Sequence, residues 1–526
     1  MLLSRLIPLV CSWQLVVGSA AVYNWPDPLL DNIDDQLHVD RFTTLNVLSR
    51  DCATRDGTTV GAQWLRMAFH DFATHDIYTG KGGLDASIIF ELDRSQNIGL
   101  GMRRSLVDFL GAPTEYVGMA DIIAMGAVLS VVGCGGPALP FRAGRIDATK
   151  AGPETVPEPQ QDLDSHIAAF KRLGFNKTEM IGLLACGHAL GGVRQADFPL
   201  IVTPDLPVGV TFQVPFIFNN SIVHEYLDST TINVLEVGSN ISTRSDLRIF
   251  SSDGNVTMNR LASSDVFNTE CTNLIRRMID TVPSTVTLTD PVEIIDYKVQ
   301  ATMLFPSNGS LVFLATMRIV QDIFIAAELL RPNRTVTMFW KERYGTFCPE
   351  KGCSTEYFEL DFESASLYGF FKGVTQFDYH RFRAEIDLNT SISHFWFEVD
   401  PKNGSAPLII DNHGANYTID QDVLLFDPRR SSFTKGGSNM VVAVKDPSGH
   451  AAVSAFTTIS GSPLIPWPVN TSATTHFALD PSHPPADGYK FYSAPISDRA
   501  LSNTLHATVS GKAYSQWVPL LTAPGV

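Results

Sequence analysis

The sequence predicts a multidomain chain of two unlike parts, an all-α domain followed by an all-β, sandwich-like region. Three observations carry this. From about residue 39 to 282, apolar residues recur at helical spacing between Gly/Pro loops, as in "GAQWLRMAFHDF", "YVGMADIIAMGAVLSVV" and "KTEMIGLLACGHAL". Beyond Pro283 the pattern becomes short alternating runs of β-branched and aromatic residues, such as "TVTMFWKERY", "HFWFEV" and "NMVVAVKD", separated by turns such as "PSNGS" and "KGGSN". The length of 526 residues also exceeds that of one ordinary domain.

At the start of the chain, "MLLSRLIPLVCSWQLVVGSAA" combines Arg5, an apolar stretch and a small-residue ending, the pattern of a cleaved secretory signal over 1–21. The helical domain then runs over 22–282. A first β module is expected over 283–403 and a second over 404–526, divided at the turn-rich "DPKNGSA". No later run is long and apolar enough to span a bilayer. A net charge of −16 without a Lys/Arg cluster makes nucleic acid an unsuitable partner. Sequons at Asn176, Asn240, Asn255, Asn308, Asn333, Asn389, Asn403, Asn416 and Asn470 fit a secreted, extracellular glycoprotein. Six cysteines remain after the signal, in an oxidising compartment; Cys348 and Cys353 are close enough to close a small loop.

In "RMAFHDF" (66–72), Arg66 and His70 are four apart and share one helix face. Asp71 points about 100° away and must serve something else. Trp64, Leu65, Met67, Ala68, Phe69 and Phe72 leave little polar face for water. A cation and a titratable base in an apolar setting are costly unless they work on a ligand. A second helix, "NKTEMIGLLACGHALGG", opens on the capping-box pair Asn176 and Glu179, carries His188, and stops at Gly191 and Gly192. One His with an Arg and a Phe, and another on a separate apolar helix, is what sandwiching a haem requires.

Here the chain resembles the plant-type (plant, fungal and bacterial) haem peroxidase superfamily, in the style of its secreted fungal members, over roughly 40–282. The resemblance implies haem b, with His188 as iron ligand and Asp246 (Asp253 as rival) hydrogen-bonded to it. It also implies that Phe69 lies on the distal side and Phe218 beside the ligand. Arg66 and His70 would be the distal catalytic pair, with Glu91 and Asn97, six apart, holding His70. "GGLDAS" resembles the distal calcium segment: the Gly83 carbonyl, Asp85 and Ser87, completed by Asp71. Cys52 and Cys134 fall where the secreted members have a disulfide, while the pairing of Cys186 and Cys271 is left open. "VPEP" at 156–159 resembles the haem-edge access segment. Ala189 and Asn219 stand where secreted members hold a second calcium, so one calcium is expected.

The function so implied is that of a secreted peroxidase, reducing hydrogen peroxide and oxidising small phenolic or aromatic donors by single electrons at the haem edge. Two alternatives stand beside it. One is a secreted glycoprotein whose β region binds cell-wall polysaccharide or protein, with a weak or inactive haem domain. The other is a haem enzyme with a thiolate ligand, for which Cys186 is the candidate.

Overall fold

A computed structural model of the chain describes residues 23–40, 44–204, 206–207, 209–322, 334–434, 437–464 and 469–518. The expected signal segment 1–21 and the sequon at Asn333 lie outside the described residues.

The helical half is built on α1 (Pro28–His38), α2 (Val60–Phe72), α3 (Leu100–Phe109), α4 (Met119–Gly133), α5 (Lys177–His188), α6 (Ser245–Phe250) and α7 (Ser264–Asp280). All 15 residues of α4 are buried, as its apolar composition on every face requires. Gly118 precedes it and has no capping side chain. Asp147 supplies the cap from a distance, accepting the Met119 and Ala120 N–H groups at 2.8 Å each. α2 begins at Thr59, whose hydroxyl accepts the Ala62 N–H at 3.0 Å. It runs against α4 at Gly61, where an added methyl would lie 3.3 Å from Ser130 Cβ. Cys52–Cys134 ties the approach to α2 to the end of α4, and Cys186–Cys271 ties α5 to α7. With Cys186 in a disulfide and fully buried, it cannot serve as a thiolate ligand, so the thiolate reading is withdrawn.

The first β module pairs Tyr297–Ser307, Ser310–Asp322, Val374–Asp387 and Glu359–Ser364, in that order, in one antiparallel sheet. A second sheet runs Leu408–Ile410, His394–Asp400, Thr335–Lys341, Cys353–Glu356. The expected division at 403/404 falls inside this module. "DPKNGSA" is a loop between paired strands, and both Leu408–Ile410 and Tyr417–Thr418 still pair with His394–Asp400. The boundary instead lies between Thr418 and Leu424. A second pair of antiparallel sheets follows, from Leu424–Phe426 to Lys512–Val518. The two modules share a wall: along Gly437–Val444, Val441 and Ala443 enter the first core while Met440, Val442 and Val444 enter the second. Cys348–Cys353 closes the loop before the Cys353–Glu356 strand.

The β region is fastened to the back of the helical half. A short helix, α8 (Leu367–Phe371), inserts Tyr368 into the helical core, where its buried hydroxyl donates to the Leu139 carbonyl at 2.7 Å. On α1, Asp34 is fully buried against the first sheet. Arg318 Nη1 contacts its carboxylate at 2.6 Å and Lys298 Nζ at 3.1 Å; Lys298 also reaches Asp35 at 3.0 Å. Burial alone would raise the Asp34 pKa, but the two cations hold it well below the usual carboxylate range. Removing one partner strands a buried charge. Arg318→Met is therefore expected to destabilise the chain by about 3–5 kcal/mol, and the double variant with Asp34→Leu by less than the single one. Urea unfolding of the three proteins checks this order.

Candidate active site

The exposure pattern of α2 locates the site. Leu65, Met67 and Ala68 are buried, whereas Ala62, Arg66, Phe69 and His70 are only partly covered. These four are spaced i, i+4, i+7 and i+8, a single stripe. On α5 the same holds for Leu184, Gly187 and His188 between buried neighbours. Each helix thus leaves unpacked the stripe that bears its histidine. The start of α2 meets the end of α5 where Thr59 Oγ1 donates to the Leu190 carbonyl at 3.5 Å.

Both imidazoles are tied through Nδ1. Asn97 Oδ1 lies 2.8 Å from His70 Nδ1, and Asn97 Nδ2 donates to the Glu91 carbonyl at 3.0 Å. That second bond fixes the amide's orientation, so Oδ1 accepts, the His70 proton sits on Nδ1, and Nε2 keeps its lone pair. Glu91 therefore acts through its backbone; its carboxylate accepts the Gly152 N–H at 2.6 Å and pairs with Arg94 at 2.9 Å. Burial, then the neighbouring Arg66 charge, lowers the His70 pKa to about 3, which keeps the ring neutral. Arg66 Nη2 donates to the Gln96 and Ile98 carbonyls, both at 3.1 Å. Burial lowers its pKa to about 10, so it stays charged at neutral pH.

On the other helix, His188 Nδ1 is 2.7 Å from Asp246 Oδ2, on α6. Asp253 is not the partner, because it caps the next helix by accepting from the Thr257 N–H at 3.1 Å and the Thr257 hydroxyl at 2.5 Å. Phe218 does not lie against His188. It packs on Phe267 at 5.7 Å, and the ring beside His188 is Phe212, with centroids 4.4 Å apart. The strand Gly209–Thr211 pairs with Gly192–Arg194, directly after α5, and so delivers Phe212 to the histidine.

The turn after α2 gathers Asp71, Gly83, Asp85 and Ser87. The Asp71 carboxylate accepts from Ala86 N–H at 2.7 Å, Ile88 N–H at 2.9 Å and Ser87 Oγ at 3.4 Å; Asp85 accepts from Ser87 N–H at 3.1 Å. The Gly83 carbonyl accepts from Thr74 Oγ1 at 3.4 Å. Burial, then Asp85, raises the Asp71 pKa well above normal. Among the described residues no three His, Cys, Asp or Glu side chains form a metal cluster. With two acids, a carbonyl and hydroxyls, the turn offers only oxygen donors, suited to a hard cation.

Several site residues had no motif to announce them. Asn233 Nδ2 donates to Asp246 at 2.7 Å and to Glu236 at 3.1 Å, extending the His188 pair into a buried chain. Arg194, six residues after His188, has a buried Nη1 without a hydrogen-bond partner, its nearest carboxylate being Asp197 at 3.6 Å. The Nε2 atoms left over by the two tethers, the half-open stripes with Phe69 and Phe212, and the Arg194 guanidinium, ion-paired but with Nη1 short of a hydrogen bond, fit a flat apolar group that bears carboxylates and takes a nitrogen ligand, as haem does.

Glu236 makes the buried chain pH-sensitive. Burial, then repulsion by Asp246, raises its pKa to about 8. Between the unfolded value near 4.5 and 8 the folded chain binds the extra proton, so this group's contribution to stability falls as pH rises. Glu236→Gln is expected to leave stability at pH 4 unchanged and raise it at pH 8.5 by about 1–3 kcal/mol, read from denaturant midpoints at the two pH values.

Residues 48–258 match the family described as Peroxidase. A WSC domain-containing protein of Arthroderma benhamiae is 32% identical over 416 residues, covering 76% of this chain and 54% of its own length. L-ascorbate peroxidase 5, peroxisomal, of Arabidopsis thaliana is 32% identical over 177 residues, 33% of this chain and 60% of its own. The mitochondrial cytochrome c peroxidase of Emericella nidulans is 32% identical over 142 residues, 26% and 39%. The chain therefore spans little more than half the length of the first two relatives, and the 416-residue match is too long to be confined to the helical half. With that family match lying over α2 and α5 and their two tethered histidines, the chain belongs to the plant, fungal and bacterial haem peroxidase superfamily.

Proposed function

We propose that the chain is a secreted haem peroxidase that reduces hydrogen peroxide and oxidises small phenolic or other aromatic donors by one-electron steps. The observation that carries this reading is the pair of imidazoles tethered through Nδ1, His70 to Asn97 and His188 to Asp246, on the unpacked stripes of α2 and α5. Haem, when bound, supplies the iron at which the O–O bond breaks and to which donor electrons return.

The protein's own residues do the rest. His188 would hold the iron through Nε2, and Asp246, accepting the Nδ1 proton, would fix the ring's tautomer and orientation for that bond. His70, neutral at working pH, takes a proton at Nε2 from one peroxide oxygen and gives it to the other, which leaves as water. Arg66 lies one turn away to stabilise the negative charge that grows on the leaving oxygen. A cavity of about 340 Å³ lined by Gln96, Glu154, Val156, Glu158 and Gln161 lies beside the residue that precedes Asn97, and is a place for a small donor. None of its lining comes from the β region.

Secretion is supported by the three disulfides, which an oxidising compartment maintains. A distal calcium at Asp71, Gly83, Asp85 and Ser87 would offset two neighbouring buried carboxylates and pin the end of α2. We further propose that the β region is a binding module for polysaccharide or protein; the 416-residue match to the WSC domain-containing relative extends into it.

An absorption spectrum of the purified chain tests the reading. A Soret band that changes with one equivalent of hydrogen peroxide and is restored by a phenol supports it; absence of haem, or haem indifferent to peroxide, overturns it. His70→Ala is expected to keep the band and slow the peroxide step by about 10²–10⁴-fold in stopped flow.

A further inference from the structure

The segment that follows α5 crosses to the other side of the crevice. Beyond Arg194 it makes a tight turn, with Asp197 N–H donating to the Arg194 carbonyl at 3.3 Å and Phe198 N–H to the same oxygen at 2.9 Å. The Ile201 and Val202 N–H groups then both donate to the Phe198 carbonyl at 3.0 Å. This turn places the Phe198 ring under the Arg66 guanidinium, with the Arg66 Cζ atom 5.2 Å from the ring centroid. It also anchors Asp197 at the start of α3, where its carboxylate accepts the Leu100 N–H at 3.4 Å. A methyl built on Gly99 would stand 3.4 Å from both Arg66 Nη1 and Asp197 Oδ2. Gly99, held at φ 115°, lies between the cation and the carboxylate, whose Oδ2 is also 3.6 Å from Arg194 Nη1.

We propose that Asp197 and Phe198 are positioning residues for Arg66, holding its guanidinium back against the Gln96 and Ile98 carbonyls and offsetting its charge, so that they set how strongly the crevice attracts an anion. The argument has two parts. First, a guanidinium with two carbonyls on one nitrogen and an aromatic face beneath it has few other positions open to it. Second, a carboxylate within a few ångströms in a poorly solvated place cancels part of the field that the cation projects. Asp197 is the acid that raises the Arg66 pKa against burial, consistent with this placement. The pairing links the two sides of the site, because the turn is continuous with the helix that carries His188.

The inference rests on the haem peroxidase reading, and the experiment keeps the two separable. Full-length wild type, Asp197→Asn, Phe198→Leu, Arg66→Leu and the Asp197→Asn/Arg66→Leu double variant are titrated with fluoride, the Soret band reporting anion binding at fixed pH. Asp197→Asn keeps the acceptor for Leu100 and removes the charge; it is expected to tighten fluoride about three- to tenfold. Phe198→Leu removes no charge and frees the guanidinium, so it should tighten fluoride by a smaller factor. In the Arg66→Leu background the Asp197→Asn effect should fall below about twofold. An equal effect with and without Arg66, or no change in either single variant, overturns the proposal. Absence of a Soret band in wild type overturns the peroxidase reading instead. The positioning claim is then read from the Arg66 Nε–H NMR signal, assigned by its loss in Arg66→Leu. Ring stacking places that signal upfield, Phe198→Leu should move it downfield, and an unmoved signal overturns the claim.

Discussion

The helical half depends on keeping one crevice open while burying strongly polar groups on both of its walls. A core packed to ordinary density would close over Arg66, His70 and His188, and each would then lack water and a partner. The structure avoids this by satisfying each group from behind. Asn97 takes the His70 Nδ1 proton, Asp246 takes that of His188, and two carbonyls take Arg66. Every tether lies on a different chain segment from the group it holds. The loop 91–98, the helix α6 and the turn 194–198 must therefore dock correctly before the crevice has its geometry. The two long-range disulfides bear on the same point, since one fixes α5 to α7 and the other the approach to α2 to α4.

Much of this was legible because it is written at short range. Arg66, Phe69 and His70 share a stripe by helical arithmetic, and the capping box of α5 spans four residues, so both could be read without knowing the rest of the fold. Where a reading depended on how a loop travels, spacing gave less. Phe218 looked like the ring beside His188, but the short hairpin 192–211 brings Phe212 there six residues earlier. Glu91 and Asn97 were read together as the pair that holds His70; which Glu91 atom does so depends on the loop, and it is the carbonyl, the carboxylate being committed to Gly152 and Arg94. "DPKNGSA" has the composition of a linker and is a loop between paired strands, a distinction that pairing partners decide and composition does not. Asp34 was invisible for a similar reason: a charged helix face looks solvated until its cations, Lys298 and Arg318, are known to arrive from a sheet more than 260 residues away.

That junction explains how the β region can be large without intruding on the crevice. Its attachments are α8 under Leu139, the ion cluster on α1, and contacts such as the Ser460 hydroxyl donating to the Leu110 carbonyl at 3.2 Å and the Glu115 N–H to Ser502 at 3.1 Å. These lie on α1, on the loop between α3 and α4, or just beyond α4, and Arg103 of α3 adds a bond to the Pro463 carbonyl at 3.0 Å. The cavity by Gln96 and the 154–169 segment is lined from the helical half alone. An appendage fastened on one side of the helical half, with that cavity lined from elsewhere, leaves small molecules a way to the site.

Rigid attachment also constrains what the β region can communicate. Buried, paired charges have steep distance dependence and one good arrangement, so the α1 junction favours a single relative placement over a hinge. Tyr368 adds an apolar anchor whose hydroxyl is satisfied only in that placement. The first and second β modules share one strand whose alternate side chains enter the two cores, which removes a second possible hinge. A ligand on the outer sheets would therefore act on the crevice by location, bringing donor and site together, and not by moving α2 or α5. The roles are then divided: residues of the helical half shape the crevice, and those of the junction hold the β region in one place relative to it.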